Sequence, residues 1–410
     1  MSHWNHRVVR RVYPGALDGE VAYQIHEAYY GLEDKLVRAF KESFMSAAGA
    51  QRALDITQTS KRSKLLQQQF SNKIVGQEKA VQVLIDIFEA HQSGFSDPSK
   101  PAGIALFLGP TGCGKTFVCE TLAEALLGNK KACIRIDCAE FQHDHEIAKL
   151  VGSPPGYLGF RECHPMLEQE RLDKYHTEEM KLSILLIDEV EKASDSLWKL
   201  LLGILDSASL TLGDNRTVDF SKTIIVLTSN LGAREMANRG IGFAELSDEK
   251  DQARLEQIAL SAAKSKFSPE FLNRIQHIVT FTALTKEQTD QVLDFELRDL
   301  AYRLWVLGTP CSIVLASDLT TTSLKVRPPV PRFEFFVSPS ARRFLLKEGF
   351  DKAYGARPIK RTIEKYIQKP LAKLVLSEQI NKDDKIIIDY KDGTGFEFIS
   401  QGGPTINDRS

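Results

Sequence analysis

The chain has 410 residues, of which 42% are hydrophobic, so it is long enough to form two or three domains with buried cores. Lysine and arginine together number 53 and aspartate and glutamate 54, which gives a net charge of −1 at pH 7. This balance argues against a protein that binds nucleic acid or an anionic membrane through its overall charge.

The six cysteines are scattered through the chain, without a Cys-x-x-Cys pair or the Cys/His spacing typical of a zinc site. We therefore expect reduced thiols and a cytoplasmic protein. No apolar stretch has the length of a membrane-spanning helix, and the N-terminus lacks the apolar segment of a secretion signal. Neither a membrane nor a nucleic acid is an expected partner.

Residues 1–70 contain no motif of known chemistry. A turn at Pro14 and Gly15 precedes a helical pattern over residues 21–44, and a polar stretch rich in Gln, Ser and Lys continues to Phe70. We interpret this part as a helical N-terminal leader of unknown role that ends in a polar linker.

From Ile74 onward, short β-branched and aliphatic runs alternate with amphipathic helical segments. Such alternation is typical of an α/β fold in which helices cover a parallel sheet. We place this large domain at residues 71–283. Its predicted strands are Gly103–Leu108, Cys133–Asp137, 184–187 and 223–228.

A second unit begins near Thr285, where Thr285-Lys-Glu-Gln288 is typical of a capping box and leucines follow at helical spacing. Ser338 before Pro339 indicates another helix start. We predict a small α/β lid domain at residues 284–400, with strands at 312–316, 333–337, 385–390 and 396–400 and a long helix at 357–377. Residues 320–331 are expected to be a loop insertion, and residues 401–410 a disordered tail.

The segment Gly109-Pro-Thr-Gly-Cys-Gly-Lys-Thr116 matches the phosphate-binding loop pattern in full, between a predicted strand and a helix that runs to Gly128. Backbone N–H groups of such a loop bind phosphate oxygens at a helix N-terminus. Lys115 is expected to bind the β- and γ-phosphates, and Thr116 to hold Mg²⁺. The loop therefore predicts ATP and Mg²⁺ as cofactors, bound by Gly109, Pro110, Thr111, Gly112, Cys113, Gly114, Lys115 and Thr116.

Two carboxylates, Asp188 and Glu189, follow the predicted strand at residues 184–187. The carboxyl ends of parallel strands meet at one edge of the sheet, so these acids are expected beside the phosphates. Asp188 would then reach Mg²⁺ through water, and Glu189 would polarise the attacking water. An intact Glu189 favours a hydrolase over a protein that only binds nucleotide.

With these motifs in order, the chain from Ile74 to about residue 399 resembles the second ATPase module of Clp-type unfoldases and disaggregases of the AAA+ superfamily. Further matching motifs are Ile74-Val-Gly-Gln77, Thr228-Ser-Asn230, Phe267-Ser-Pro-Glu-Phe-Leu-Asn-Arg274 and Tyr354-Gly-Ala-Arg357.

The resemblance implies a role for each of these motifs. Ile74 and Val75 would cover the adenine, and Asn230 would help Glu189 orient the water. Arg274 would act as an arginine finger on the γ-phosphate of the neighbouring subunit. Arg357 would reach the γ-phosphate bound by its own chain.

An arginine finger that acts on a neighbour requires subunits in contact, and a head-to-tail contact must close into a ring to avoid filaments. The resemblance implies a homo-hexamer.

Gly152-Ser-Pro-Pro-Gly-Tyr-Leu-Gly159 resembles the substrate-gripping pore loop of the family. Tyr157 and Leu158 would press on an extended polypeptide, while Gly156 and Gly159 let the loop move. The expected substrates are unfolded or tagged proteins. The chain departs from the family after this motif, because Phe160-Arg-Glu-Cys-His-Pro165 replaces the usual acidic residues and glycines.

Ile241-Gly-Phe243 stands where peptidase-coupled relatives carry an apolar docking tripeptide, so a Clp peptidase or an adaptor is a further candidate partner. The favoured interpretation is an ATP-dependent unfoldase or remodelling chaperone that threads polypeptide through a hexameric ring, either alone or as the ATP-binding subunit of a Clp protease. The alternative is a nucleotide-switched binding module or loader with one dedicated partner, which would not need Tyr157.

Overall fold

A computed structural model describes residues 58–153, 165–233, 249–306, 311–314, 333–350, 357–380 and 384–401. The chain divides into two compact units, Met1–Thr59 and Ser60–Ser410, and the elements below belong to the second. The predicted leader helix, the insertion at 320–331 and residues 402–410 of the predicted tail lie outside the described residues.

The first part of the second unit alternates helices and strands in the predicted way. Its helices are α1 (Lys61–Ser71), α2 (Glu78–Gln92), α3 (Lys115–Leu127), α4 (Ala148–Val151), α5 (Gln169–Asp173), α6 (Asp195–Ser207), α7 (Glu249–Lys266) and α8 (Pro269–Leu272). Its strands are β1 (Gly103–Leu108), β2 (Cys133–Asp137), β3 (Ser183–Asp188), β4 (Ser209–Thr211), β5 (Thr217–Asp219), β6 (Thr223–Ser229) and β7 (His277–Thr280).

Five of these strands form one parallel sheet in the order β2-β3-β6-β1-β7. Alternate residues of β1 face opposite sides of the sheet. Leu106 packs in the apolar cluster on one face, and Phe107 packs in the cluster on the other. The predicted α/β fold with a helix-covered parallel sheet is confirmed. The order places β6 between β1 and β3.

Helix α1 corrects the interpretation of the residues before Phe70 as a polar linker. The Ser60 hydroxyl accepts a hydrogen bond from the Ser63 backbone N–H at 3.0 Å, which caps the helix. Leu66 and Phe70, four residues apart, are buried in the cluster that includes α2 and α3. We therefore propose that the large domain begins at residue 60 rather than at 71.

The remaining elements form the small C-terminal part that was predicted. They are α9 (Lys286–Val306), β8 (Cys311–Val314), β9 (Phe333–Val337), α10 (Pro339–Gly349), α11 (Arg357–Ile363), α12 (Lys369–Leu376), β10 (Asp384–Lys391) and β11 (Gly395–Gln401), with a π-helical turn at Glu364–Gln368. The four strands form a sheet in the order β11-β10-β9-β8, in which only the β10–β11 pair is antiparallel.

Local capping follows the sequence prediction in this part. The Thr285 backbone N–H donates to Gln288 Oε1 at 2.9 Å, and the Gln288 backbone N–H donates to Thr285 Oγ1 at 3.2 Å, which completes the capping box. Ser338 caps α10 by accepting from the Ala341 backbone N–H. The apolar residues of this part form a cluster of their own, and we propose a separate small domain at residues 284–400.

Within the described ranges, no helix combines the length and the apolar character that crossing a bilayer requires.

Candidate active site

The phosphate loop lies between β1 and α3 and depends on glycine at several positions. Gly112 and Gly114 have φ angles of 79° and 99°, in the left-handed region that side chains rarely adopt. Gly109 has no room for a side chain, because a Cβ there would lie 2.4 Å from the Phe281 carbonyl oxygen. The conformation of the loop therefore requires glycine at positions 109, 112 and 114.

The Lys115 side chain is buried, with the residue 7% exposed, and its ammonium group has three oxygen acceptors. Nζ donates to the carbonyl oxygens of Gly109 and Pro110 at 2.7 and 2.9 Å. It also donates to Asn230 Oδ1 at 2.9 Å. A buried positive charge at the N-terminus of α3 suits the binding of phosphate oxygens.

Asp188 ends β3, and its carboxylate is held by groups from three elements. The hydroxyl group of Thr228, on β6, donates to Oδ1. Arg135 Nη2, on β2, lies 2.6 Å from Oδ2. Thr116 Oγ1, on α3, lies 3.5 Å from the same oxygen. A carboxylate and a hydroxyl at this separation fit the hard oxygen ligands, direct or through water, that Mg²⁺ prefers.

Glu189 adopts a left-handed backbone conformation, with φ 55°, which is rare for a residue other than glycine. Its backbone N–H donates to Thr228 Oγ1 at 3.2 Å. Asn230 Nδ2 donates to Oε1 at 3.0 Å, and Lys192 Nζ lies 2.5 Å from Oε2. The hydrogen bond to Glu189 raises the pKa of Lys192. Both carboxylate oxygens of Glu189 are therefore held in place.

The strand order explains why these side chains meet. Asn230 follows β6, and β6 lies between β1, which leads to the phosphate loop, and β3, which leads to Glu189. Asn230 thus accepts from Lys115 on one side and donates to Glu189 on the other. Its backbone N–H donates to Glu191 Oε1 at 3.1 Å, which fixes the strand end.

Arg274 is not brought to this group of residues within its own chain. It follows α8, and its Nε lies 3.4 Å from Asp206 Oδ1, at the end of α6. Its Nη1 lies 3.2 Å from Glu270 Oε1 and donates to the Glu270 carbonyl oxygen at 3.0 Å. These acidic partners hold the guanidinium at the surface of α6 and α8.

The other predicted site residues are described only in part. Ile74 is partly buried against the apolar cluster of α2 and α3, and Val75 beside it is also partly exposed. Arg357 is exposed at the first position of α11. Outside the described residues lie the rest of its motif, the predicted pore loop Gly156-Tyr157-Leu158-Gly159 and the docking tripeptide Ile241-Gly-Phe243.

Sequence reasoning included Gln77 and Thr228 only as members of motifs and missed their contacts, and it missed Arg135, Glu191 and Lys192 altogether. Arg135, Glu191 and Thr228 contact predicted residues because of the strand order, which no single segment reveals. Lys192 instead contacts Glu189 from three residues along the chain. Two local signals were available: Thr228 stands two residues before Asn230, at the same strand end, and Lys192 stands three residues after Glu189.

Cys113, inside the phosphate loop, is a buried thiol. Its Sγ lies 2.9 Å from the Pro110 carbonyl oxygen, and burial raises the pKa of the thiol above its ordinary value. Among the residues whose side chains the structure describes, Cys113, Cys119, Cys133 and Cys138 are all free.

Comparison with known proteins identifies two matching families. Residues 100–278 match the family model described as AAA domain (Cdc48 subfamily), and residues 323–388 match that described as the C-terminal, D2-small domain of ClpB protein.

The chain is similar to the chaperone protein ClpB of Aquifex aeolicus, with 34% identity over 334 residues that cover 82% of this chain and 30% of the relative. It is 34% identical to the ATP-dependent Clp protease ATP-binding subunit ClpC of Staphylococcus aureus, over 81% of this chain and 37% of that relative. It therefore spans about a third of the length of these relatives.

A solved structure of the S. cerevisiae Hsp104:casein complex in an extended conformation superposes with a TM-score of 0.64. It is 28% identical and covers 81% of this chain and 51% of that chain. Together with the phosphate loop and the paired carboxylates Asp188 and Glu189, these similarities show that the chain belongs to the Clp-type AAA+ ATPase family.

Proposed function

We propose that this chain hydrolyses ATP and uses the energy to unfold or remodel other proteins, as a hexameric ring of the Clp type. The observation that carries the proposal is the hydrogen-bonded connection from Lys115 through Asn230 to Glu189. It joins the group suited to bind the terminal phosphate to a carboxylate suited to accept a proton from water.

Each residue of the site has a role in this proposal. Lys115 binds the β- and γ-phosphate oxygens, and Thr116 and Asp188 would hold Mg²⁺, which supplies positive charge against the phosphates. Glu189 accepts the proton of the attacking water, and Asn230 keeps its carboxylate pointed towards the phosphate loop.

Arg274 completes the site of a neighbouring subunit in this proposal. Its contacts with Asp206 and Glu270 hold it away from the phosphate loop of its own chain. An arginine placed on another surface of the same domain can reach a nucleotide in a head-to-tail ring. Arg357, on the small domain, would contact the nucleotide of its own chain.

The predicted pore loop begins and ends at one place on the large domain. A Cβ built on Gly152 would lie 3.0 Å from Pro165 Cγ, so the residues on either side of segment 154–164 are in contact. The Gly213 N–H, in the turn between β4 and β5, donates to the Val151 carbonyl oxygen at 2.8 Å. The two ends of the segment that carries Tyr157 therefore lie together, which supports the proposed pore-loop role.

The relatives suggest the kind of partner. The Hsp104 structure is a complex with casein, and ClpC is the ATP-binding subunit of an ATP-dependent Clp protease. We propose unfolded or tagged proteins as substrates and a Clp peptidase or adaptor as an additional partner.

The decisive experiment traps substrates on the hydrolysis-deficient Glu189→Gln protein in the presence of ATP and identifies them by mass spectrometry. We expect many unrelated polypeptides to be retained, and to be lost when Tyr157→Ala is added. Lys115→Ala is the control, because it removes nucleotide binding and should retain none. One partner retained regardless of Tyr157 would instead support a nucleotide-switched module with a dedicated partner.

A further inference from the structure

Gly76 and Gln77 lie where three parts of the molecule meet. They follow Ile74 and Val75, before α2, and Gln77 is buried with the residue 6% exposed. A buried carboxamide requires hydrogen-bond partners, because leaving its polar atoms unpaired away from water is unfavourable.

The Gln77 carboxamide connects the phosphate loop to the segment that leads into the small domain. Its Nε2 donates to the Cys113 carbonyl oxygen at 3.3 Å and to the Thr282 carbonyl oxygen at 3.2 Å. Thr282 lies between β7 and α9. One amide group therefore holds together two strand-end segments that are about 170 residues apart.

Gly76 contacts the small domain directly. It has a φ angle of 70°, and a Cβ there would lie 2.5 Å from Gln288 Nε2 and 2.6 Å from Gln288 Cδ. The same Gln288 side chain accepts the Thr285 backbone N–H and so closes the first turn of α9. The glycine lets the capping group of α9 rest against the segment expected to cover the adenine.

We propose that Gly76 and Gln77 are positioning residues that couple the phosphate loop to the orientation of α9, and hence of the small domain. The proposal rests on the proposed function, because it assigns a role to these residues at the same nucleotide site. Displacement of either end moves the other, since packed and hydrogen-bonded contacts of this kind have few alternative arrangements.

The test is a double-mutant cycle between Gly76→Ala and Gln288→Ala, with the affinity for a fluorescent ADP analogue as the readout. We expect Gly76→Ala to weaken binding by about fivefold or more, because the new methyl group displaces the Gln288 side chain and strains the segment beside it. In the double variant the obstruction is gone, so binding should recover by about threefold or more relative to Gly76→Ala. A double variant that binds as weakly as Gly76→Ala would overturn the coupling.

Gly94→Ala is a matched control for backbone strain. Gly94 has a φ angle of 76°, and a Cβ there would meet no atom within 4 Å. Alanine therefore adds the same left-handed strain without a collision. We expect a smaller fall in melting temperature than in Gly76→Ala and an unchanged nucleotide affinity. Equal loss of affinity in Gly94→Ala and Gly76→Ala would reduce the effect to general destabilisation and overturn the proposal.

Gln77→Met tests the other contact, since methionine has a similar length but cannot donate. We expect the affinity for the ADP analogue to fall about five- to tenfold, with Gln77→Glu no better. Unchanged affinity would show that Gln77 does not couple the phosphate loop to α9. Melting temperatures of all variants, measured without nucleotide, report on the Gly76–Gln288 contact independently of binding. If the unsubstituted protein binds no nucleotide, the proposed function is wrong, while the melting temperatures still test the contact.

Discussion

At the scale of single residues, the two acidic groups of the site depend on one uncharged hydroxyl. Thr228 is fully buried, and its Oγ1 donates to Asp188 and accepts from the Glu189 backbone N–H. The second contact matters because Glu189 has a left-handed φ angle, a conformation that needs support from its surroundings. Thr228 therefore fixes both the metal-site carboxylate and the backbone of the proposed base.

Thr228→Val tests this dependence because valine keeps the shape of threonine and removes the hydroxyl. We expect kcat for ATP hydrolysis to fall by at least about tenfold, since both acids lose a fixed partner. The free energy of unfolding should fall by about 1–3 kcal/mol. Thr228→Ser keeps the hydroxyl and should retain most activity in the same steady-state assay; equal loss in both variants would assign the effect to packing.

Cys113 gives a chemical prediction at the same scale. Because burial raises the pKa of its thiol, the thiolate that reacts with alkylating agents is scarcer at neutral pH than in a free cysteine. We expect iodoacetamide at pH 7.5 to leave Cys113 unmodified in the folded protein and to modify it in urea, as measured by peptide mapping. Folded-state modification at the rate of free cysteine would contradict this assignment.

At the scale of elements, the sequence was informative where local pattern decides structure. The apolar runs of β1 and β2 and the caps at Thr285 and Ser338 depend on neighbouring residues, and they were predicted at or close to their observed positions. Strand β7 has only four residues and starts with His277, so it gives little periodic signal. The β4–β5 hairpin was missed for the same reason of length.

Helix α1 was missed for a different reason. Its composition is polar, and polar composition suggested a linker, yet two apolar side chains at helical spacing suffice to hold it against the large domain. The spacing of Leu66 and Phe70 was the available signal.

Adjacent leucines in α1 provide a matched test of this packing. Leu66 is 3% exposed, whereas Leu65 is 58% exposed. We expect Leu66→Ala to lower the free energy of unfolding by about 2–4 kcal/mol. Leu65→Ala should change it by less than about 0.5 kcal/mol. Chemical denaturation followed by circular dichroism measures the free energy of unfolding of both variants. Equal small effects would show that residues 61–71 do not pack against the large domain.

At the scale of the whole molecule, the strand order decides which residues share the site, and motifs alone revealed only its parts. The phosphate loop and Asp188 were predicted from local sequence, and Asn230 was implied by the family resemblance. The contact of Asn230 with both Lys115 and Glu189 follows from the position of β6 between β1 and β3. The proposed site also depends on assembly, because the proposed role of Arg274 requires a second subunit.

Mixing two inactive variants tests the proposed role of Arg274. Arg274→Ala keeps an intact Glu189, and Glu189→Gln keeps an intact Arg274, so each should lose at least about 100-fold in kcat alone. In an equal mixture that forms random rings, about a quarter of the sites combine both intact groups, and activity should rise accordingly. Arg62→Ala, which removes an exposed ion pair with Glu179, is the control and should keep full activity.

A mixture without recovered activity, at concentrations where subunits exchange, would place the function of Arg274 within its own chain. Full activity of the unsubstituted protein at dilutions that leave only monomers would also contradict a role for Arg274 in the site of a neighbouring subunit.

The pairing of β1 also bears on how the chain folds during synthesis. Within the large sheet β1 pairs only with β6 and β7, both of which are translated more than 110 residues after it. A nascent chain released up to about residue 222 can pair β2 with β3, but it leaves β1 without a neighbour on either edge. The phosphate loop then lacks its support until late in translation. An ATP analogue should therefore bind ribosome-stalled chains only after β6 and β7 have left the exit tunnel.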